Sequence, residues 1–341
     1  MRKPAIEEGH AAHYLSPMDS VRPADIDKAA DRIAGVAVRT PLIRSPLLDE
    51  RIGAQVYLKA ETLQRMGSFK FRGAYNRCAT IPPEQRRAGV VAYSSGNHAQ
   101  GVAAAAKLLG MPAVIVMPSD APRPKRERTA ALGAAVVLYD RNKEDRTAIA
   151  REIAGKRGAV IVPPFDDPMV IAGQGTIGRE IVQDLSAIGL KPDVVVVGCS
   201  GGGLAAGISL AIKTAVPEAE LYTAEPEGFD DMARSFVSGH RESNARLSGT
   251  ICDALMSNMP GELTFPITQR LIGKGVTASD REVEEAVAFA WRELKLVVEP
   301  GGAIGLAALL AGRPEVKGKV VVAILSGGNV DPDLFSRIIA A

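Results

Sequence analysis

An α/β chain built on mainly parallel sheets is what this sequence predicts, and three observations predict it. Short aliphatic runs such as VVVAIL (320–325) are apolar at every position, as strands covered on both faces require. These runs alternate with amphipathic stretches of helical period, the pattern of strand–helix units. Hydrophobic residues make up 46% of the 341 positions while aromatics make up only 4%, so the core must be packed from Ala, Val, Ile and Leu.

In chain order, strands are expected at VVAYS (90–94), AVIVMP (113–118), AVVLY (135–139), AVIVPP (159–164), DVVVVG (193–198), ELYTAE (220–225) and VVVAIL (320–325), each rich in β-branched residues. Helices are expected over 98–109, 123–132, 143–157, 175–188, 203–215 and 281–296. The first 20 or so residues read as a loosely held arm. Four strand–helix units fall between about 88 and 168, and a second set starts near 190. That spacing suggests a small α/β domain, 83–168, inserted into a larger one made of 1–82 and 169–341, with a ligand cleft between them. No further domain is expected after SGGNVDPDLFSRIIAA.

Composition excludes several classes. With 41 basic and 39 acidic residues the net charge is +2, which gives no electrostatic footprint for nucleic acid. The densest basic run, RPKRER (123–128), reads as an exposed helix face. Cys78, Cys199 and Cys252 are far apart and form neither a disulfide framework nor a zinc motif, which suits a reducing compartment. Apolar runs are too short to span a bilayer and the N-terminus lacks an apolar signal core. A soluble cytoplasmic protein is the expectation.

Within MGSFKFRGAY (66–75), Lys70 stands between two phenylalanines after a glycine-serine turn. It reads either as a helix start whose ammonium snorkels to solvent or as a partly desolvated, reactive amine. CSGGGLAAG (199–207) runs from a strand into a helix, and its three consecutive glycines let backbone N–H groups approach an anion. A phosphate is the expected guest. A dinucleotide would find an acid, Glu225, about 20 residues on, but Ser200 occupies the middle glycine place of that fingerprint. SSGNHAQG (94–101) also opens a helix after a strand, and its Ser95, Gly96, Asn97 and His98 suit a carboxylate. LSGGNVD (325–331) follows the last strand and places Ser326 where open α/β sheets contact ligands. An amine, a phosphate loop, a carboxylate loop and a hydroxyl at a strand end together fit pyridoxal phosphate.

Taken together, GSFKFRGA (67–74), SSGNHAQG (94–101), GGGLAAG (201–207), EPGGA (299–303) and SGGN (326–329) resemble, in order and over nearly the whole chain, the fold-type II pyridoxal-phosphate enzymes of the threonine/serine dehydratase and serine racemase group. The resemblance implies a tryptophan synthase beta-like fold of two open, mainly parallel sheets with helices on both faces. It implies that Lys70 binds the cofactor as a Schiff base and acts as base at the substrate α-carbon, and that Phe69 packs against the cofactor. Asn97 would hydrogen-bond the cofactor's 3′-oxygen. Ser95, with the backbone of 96–98, would grip the substrate carboxylate, and in racemases the matching serine works the opposite face. Ser200, Gly201, Gly202, Gly203 and Leu204 would cradle the phosphate, and Ser326 would face the pyridine nitrogen. A divalent cation, Mg²⁺ or Ca²⁺, would bind Glu225, Asp231 and the Phe229 carbonyl. Relatives imply a homodimer or homotetramer. The chain departs from the family at Thr62, Arg65, Met66, Cys252 and Leu255, positions that bear on the substrate more than on the cofactor.

A serine hydroxyl holds a proton on the pyridine nitrogen far less well than a carboxylate would. The ring is then a weaker electron sink, which favours reactions whose leaving group drains the electrons early. The reaction expected is loss of water and then ammonia from a small β-hydroxy amino acid, L-threonine or L-serine. The alternatives are a serine racemase or a lyase for threo-3-hydroxyaspartate or another hydroxy amino acid and, more remotely, an NAD-dependent dehydrogenase.

Overall fold

The computed structural model describes residues 20–94, 96–121, 123–141 and 143–340, and of Pro124 only the backbone. The expected N-terminal arm and Ser95 therefore lie outside the described residues. Among the described residues, ten strands form two sheets. They are β1 (Leu42–Arg44), β2 (Gln55–Ala60), β3 (Val90–Tyr93), β4 (Ala113–Pro118), β5 (Ala135–Tyr139), β6 (Val160–Ile161), β7 (Val194–Gly198), β8 (Glu220–Pro226), β9 (Gly275–Ala278) and β10 (Val320–Leu325). The larger sheet has the order β1-β2-β10-β7-β8-β9 and the smaller β5-β4-β3-β6. Every pairing is parallel except the edge pair β1–β2.

The apolar runs behave as two-faced strands. In β7, Val194 and Val196 enter one core cluster with the helices Asp280–Arg292 and Pro300–Leu310, while Val195 and Val197 enter another with the helices Pro168–Ser186 and Gly203–Ala215. β10 divides likewise, with Val321, Ala323 and Leu325 on one side and Val320, Val322 and Ile324 on the other. In the small sheet Ile115 and Met117 pack one way and Val114 and Val116 the other. Period-two alternation with both faces apolar is what a sheet sandwiched between helices demands.

Several elements differ from the sequence expectation. The fourth expected strand shrinks to Val160–Ile161, because it pairs only with the start of β3. The helix expected from 175 begins at Pro168, where the Asp167 side chain caps the amides of Met169 and Val170. Strands β1, β2 and β9 were not expected.

Candidate active site

Three strands deliver the site. The loops beyond the C-terminal ends of β3, β7 and β10, together with the segment after β2, converge on one cavity. Its walls include Lys70, Asn97, Gly201, Gly202, Glu299 and Ser326.

Lys70 opens the helix Lys70–Ala79, so the helix-start reading holds for the backbone. The ammonium does not snorkel. It donates to the Pro164 carbonyl at 2.8 Å and sits 5.1 Å from the centre of the Phe69 ring. Burial pushes the amine down to about 8, partly opposed by the Glu299 carboxylate. The helix is fixed from below. Gly73 and Gly173 let it approach the helix Pro168–Ser186 so closely that a Cβ on Gly173 would lie 2.6 Å from Gly73 Cα. Arg72, fully buried, donates to Glu61 Oε1 and Oε2 at 2.8 Å and to Glu180 Oε1 at 2.7 Å. Buried Lys59 donates to Glu180 Oε2 at 2.7 Å and completes the network. Desolvation weighs most on Arg72, yet the two carboxylates hold it charged.

The glycine loop after β7 is held with its carbonyls turned away from the cavity. Thr264 Oγ donates to the Gly201 carbonyl at 2.6 Å and Gly261 N–H does so at 3.1 Å. The first bond within the helix Gly203–Ala215 is Ala206 N–H to the Gly202 carbonyl, which leaves earlier amides without an intrahelical partner. A Cβ on Gly201 would overlap the Phe165 ring, one on Gly203 would lie 2.9 Å from Phe165 Cα, and Gly202 has φ +93°. The three glycines are thus required by close approach and conformation together. Ser200 Oγ accepts from Ser257 N–H at 3.1 Å and keeps its own proton to donate.

Gly96, Asn97 and His98 start the helix Asn97–Leu108 at the opposite wall. Gly96 N–H is given to Ser94 Oγ at 3.2 Å, which leaves the amides of Asn97 and His98 facing outward from the helix start. His98 is no base. Burial, aided by Lys70, pushes its imidazole down to about 3, and Nε2 donates to the Val162 carbonyl at 2.8 Å. Ser326 directly follows β10 and is buried at the cavity wall.

Two functional candidates were not singled out from the sequence. Glu299 precedes Pro300 at a helix start and reads as an ordinary cap, but it makes no cap bond. Instead its Oε1 accepts from Asn97 Nδ2 at 2.6 Å. Burial, then Asp253, pushes its carboxyl up to about 7. Lys125, within the basic run read as an exposed face, lines the cavity and pairs with Asp253 at 2.5 Å. Arg123, Glu127 and Arg128 of that run are exposed as expected, while Lys125 and Arg126 are half-buried.

Glu225 and Asp231 meet elsewhere, behind the glycine loop. Glu225 Oε1 and Oε2 accept from the amides of Met232 and Ala233 at 3.0 and 2.8 Å. Those bonds account for Glu225 without a ribose. Asp231 Oδ1 accepts from Asn244 at 2.7 Å, while buried Oδ2 has no partner. Burial, then Asp231, pushes Glu225 well above the usual range, and burial pushes Asp231 up to about 7. Two abutting buried carboxylates with one oxygen unpartnered suit a hard cation.

The cavity fits pyridoxal phosphate on its own geometry. An amine, a neutral cradle of free amides and a buried hydroxyl at a strand end line one space, and no residue of CSGGGL carries a charge that would compete with the cradle. The cradle yields a direct expectation. Gly201→Ala should weaken cofactor binding about fivefold or more, because the new methyl displaces Phe165 and overpacking of this kind costs about 1–3 kcal/mol. Absorbance titration of the cofactor checks it.

A family model described as "Pyridoxal-phosphate dependent enzyme" matches residues 33–327. An L-threo-3-hydroxyaspartate ammonia-lyase from Pseudomonas sp is 45% identical over 92% of this chain and 97% of that relative. An L-threonine ammonia-lyase from Thermotoga maritima is 44% identical over 92% of this chain and 77% of its own length. Among solved structures, maize serine racemase superposes with a TM-score of 0.87 at 35% identity, over 94% of this chain and 97% of that one.

Proposed function

The chain belongs to the pyridoxal-phosphate dependent enzymes, and from that premise we propose that it is an ammonia-lyase that removes water and then ammonia from L-threonine or L-serine, releasing a 2-oxo acid. The observation that carries the reading is the neutral Ser326 hydroxyl at the end of β10, in the cavity that also holds Lys70. When bound, pyridoxal phosphate supplies a sink for the electron pair left at the substrate α-carbon. Lys70 removes the α-proton, a task suited to an amine whose buried setting brings it toward the working pH. The amides of Asn97 and His98 at a helix start receive the substrate carboxylate. Ser95 belongs to the same loop and is assigned to that grip by family resemblance alone. The cradle at Ser200, Gly201, Gly202, Gly203 and Leu204 would take the cofactor phosphate, and Phe69 would pack against the cofactor. Ser326 would offer the ring nitrogen a hydroxyl in place of an anion, which favours loss of the β-hydroxyl as charge develops, and the proton taken by Lys70 balances the departing hydroxyl as water. Ammonia then departs when water replaces it.

The test is 2-oxo acid release from L-threonine, L-serine and L-threo-3-hydroxyaspartate in one panel. Turnover of threonine or serine supports the reading, and silence on both contradicts it. One observation favours hydroxyaspartate as the second reading. Lys125 and Arg146 line the cavity, and a threonine methyl has no use for a cation. A second substrate carboxylate would have.

We assign Mg²⁺ or Ca²⁺ to Glu225, Asp231 and the Phe229 carbonyl. Met232 ties this place to the cofactor, since a Cβ on Gly202 would lie 2.8 Å from its methyl. Chelation should therefore lower the melting temperature by a few degrees and reduce activity, with recovery on adding Mg²⁺ or Ca²⁺. A melting curve unmoved by chelator would count against the site. Residues 83–168 are read as a unit inserted into the larger one, and the native assembly as a homodimer or homotetramer, which light scattering tests. Among the described residues no helix is long and apolar enough to cross a membrane.

A further inference from the structure

We propose that Asn329 and Glu299 are positioning residues that lock the Asn97 amide in the one orientation able to hold the cofactor, through a side-chain relay from Met66 to Glu299. The inference rests on the cofactor assignment made above and adds two residues to it.

The relay is fixed at both ends. Asn329 Nδ2 donates to the Met66 carbonyl at 2.7 Å, and a backbone carbonyl can only accept. That bond orients the Asn329 amide. Its second N–H then donates to Asn97 Oδ1 at 2.8 Å, so the Asn97 oxygen must face Asn329. Asn97 Nδ2 is left facing Glu299 Oε1 at 2.6 Å, and that oxygen accepts from it. A reversed Asn97 amide would set an N–H against an N–H at one end and an oxygen against a carboxylate at the other. Counting hydrogens, both of Asn329 are spent and Asn97 keeps one N–H free at the cavity wall.

The surrounding loops are built around this chain. A Cβ on Gly67 would lie 2.9 Å from Asn329 Oδ1, and a Cβ on Gly327 would overlap Glu299 Oε1. Gly328 N–H donates to the Gly67 carbonyl at 2.9 Å, Phe69 N–H to the Ser326 carbonyl at 3.1 Å and Glu299 N–H to the Gly327 carbonyl at 3.0 Å. The relay thus joins the segment carrying Lys70, the Asn97 loop, the helix start at Glu299 and the loop after Ser326. Glu299 adds a charge that Lys70 feels.

The test reads cofactor loss from the holoenzyme on dilution, together with the position of its visible band, in a double-mutant cycle. Asn329→Asp replaces the donor that orients Asn97 with an acceptor. Alone it should speed cofactor loss by about tenfold, the worth of roughly one hydrogen bond to a bound group, and shift the band. In an Asn97→Ala background the same change should add less than about twofold, because the amide it orients is gone. Equal effects in both backgrounds, or no effect alone, would overturn the relay. Should Asn329→Asp fail to fold, Glu299→Leu, which removes the acceptor at the other end, takes its place in the cycle with the same expected coupling. A wild-type protein lacking any visible band would instead defeat the cofactor assignment itself.

Discussion

Lys70→Met should abolish turnover, by roughly a thousandfold or more, since the amine is both the cofactor's attachment and the α-proton base. The same change should raise the melting temperature of the cofactor-free protein at neutral pH. Burial lowers the Lys70 amine to about 8, so below that pH the folded chain carries a buried charge that the unfolded chain carries in water. Between about 8 and the ordinary lysine value near 10.5 the unfolded state binds more protons than the folded one, and wild-type stability rises with pH. The advantage of Lys70→Met over wild type should therefore be full near pH 7 and fade as pH climbs through that window. Thermal melts of both cofactor-free proteins from pH 7 to 10.5 check the sign. A methionine variant less stable than wild type at pH 7 would mean that the ammonium's bond to Pro164 outweighs its desolvation.

Arg72→Met should be the most destabilising change near the site, by about 3–5 kcal/mol, because it leaves Glu61 and Glu180 facing each other with Lys59 as the remaining buried cation. Glu180 lies below the usual carboxylate range, with Arg72 the first of the influences that lower it against burial. Losing Arg72 should raise that carboxyl, and the defect should ease at acid pH as the orphaned acids protonate. Urea unfolding at pH 5 and pH 8 measures both parts. Because Arg72 stands two residues beyond Lys70 on one helix, partly folded variants should also bind cofactor poorly. A loss below about 1 kcal/mol, which is surface-pair magnitude, would contradict the buried-network account.

How far the sequence discloses this arrangement depends on which residues carry the pattern. β7 and β10 are legible because every side chain meets a helix layer, and an unbroken Val/Ile run has few other uses. β2 hides because Lys59 interrupts its apolar run, and partners outside the strand, the Thr40 carbonyl and Glu180, 121 residues away, let that lysine be buried. The helix Pro300–Leu310 is buried on all sides, so no polar face marks its period. The helix Lys70–Ala79 reads as polar because Arg72 and Asn76 are buried against distant partners. The site divides the same way. Lys70, Asn97, the glycines of the cradle and Ser326 sit in local motifs whose chemistry can be read in place. Glu299 and Lys125 acquire their roles from Asn97, 202 residues distant, and Asp253, 128 residues distant, and nothing local announces either pairing.

The central claim is that Lys70 holds the cofactor. Borohydride reduction of the holoenzyme, followed by peptide digestion and mass measurement, tests it most directly. The account expects the reduced pyridoxyl group on the peptide containing Lys70 and nowhere else. Label on another lysine, or an unlabelled Lys70 peptide from a coloured protein, would contradict it.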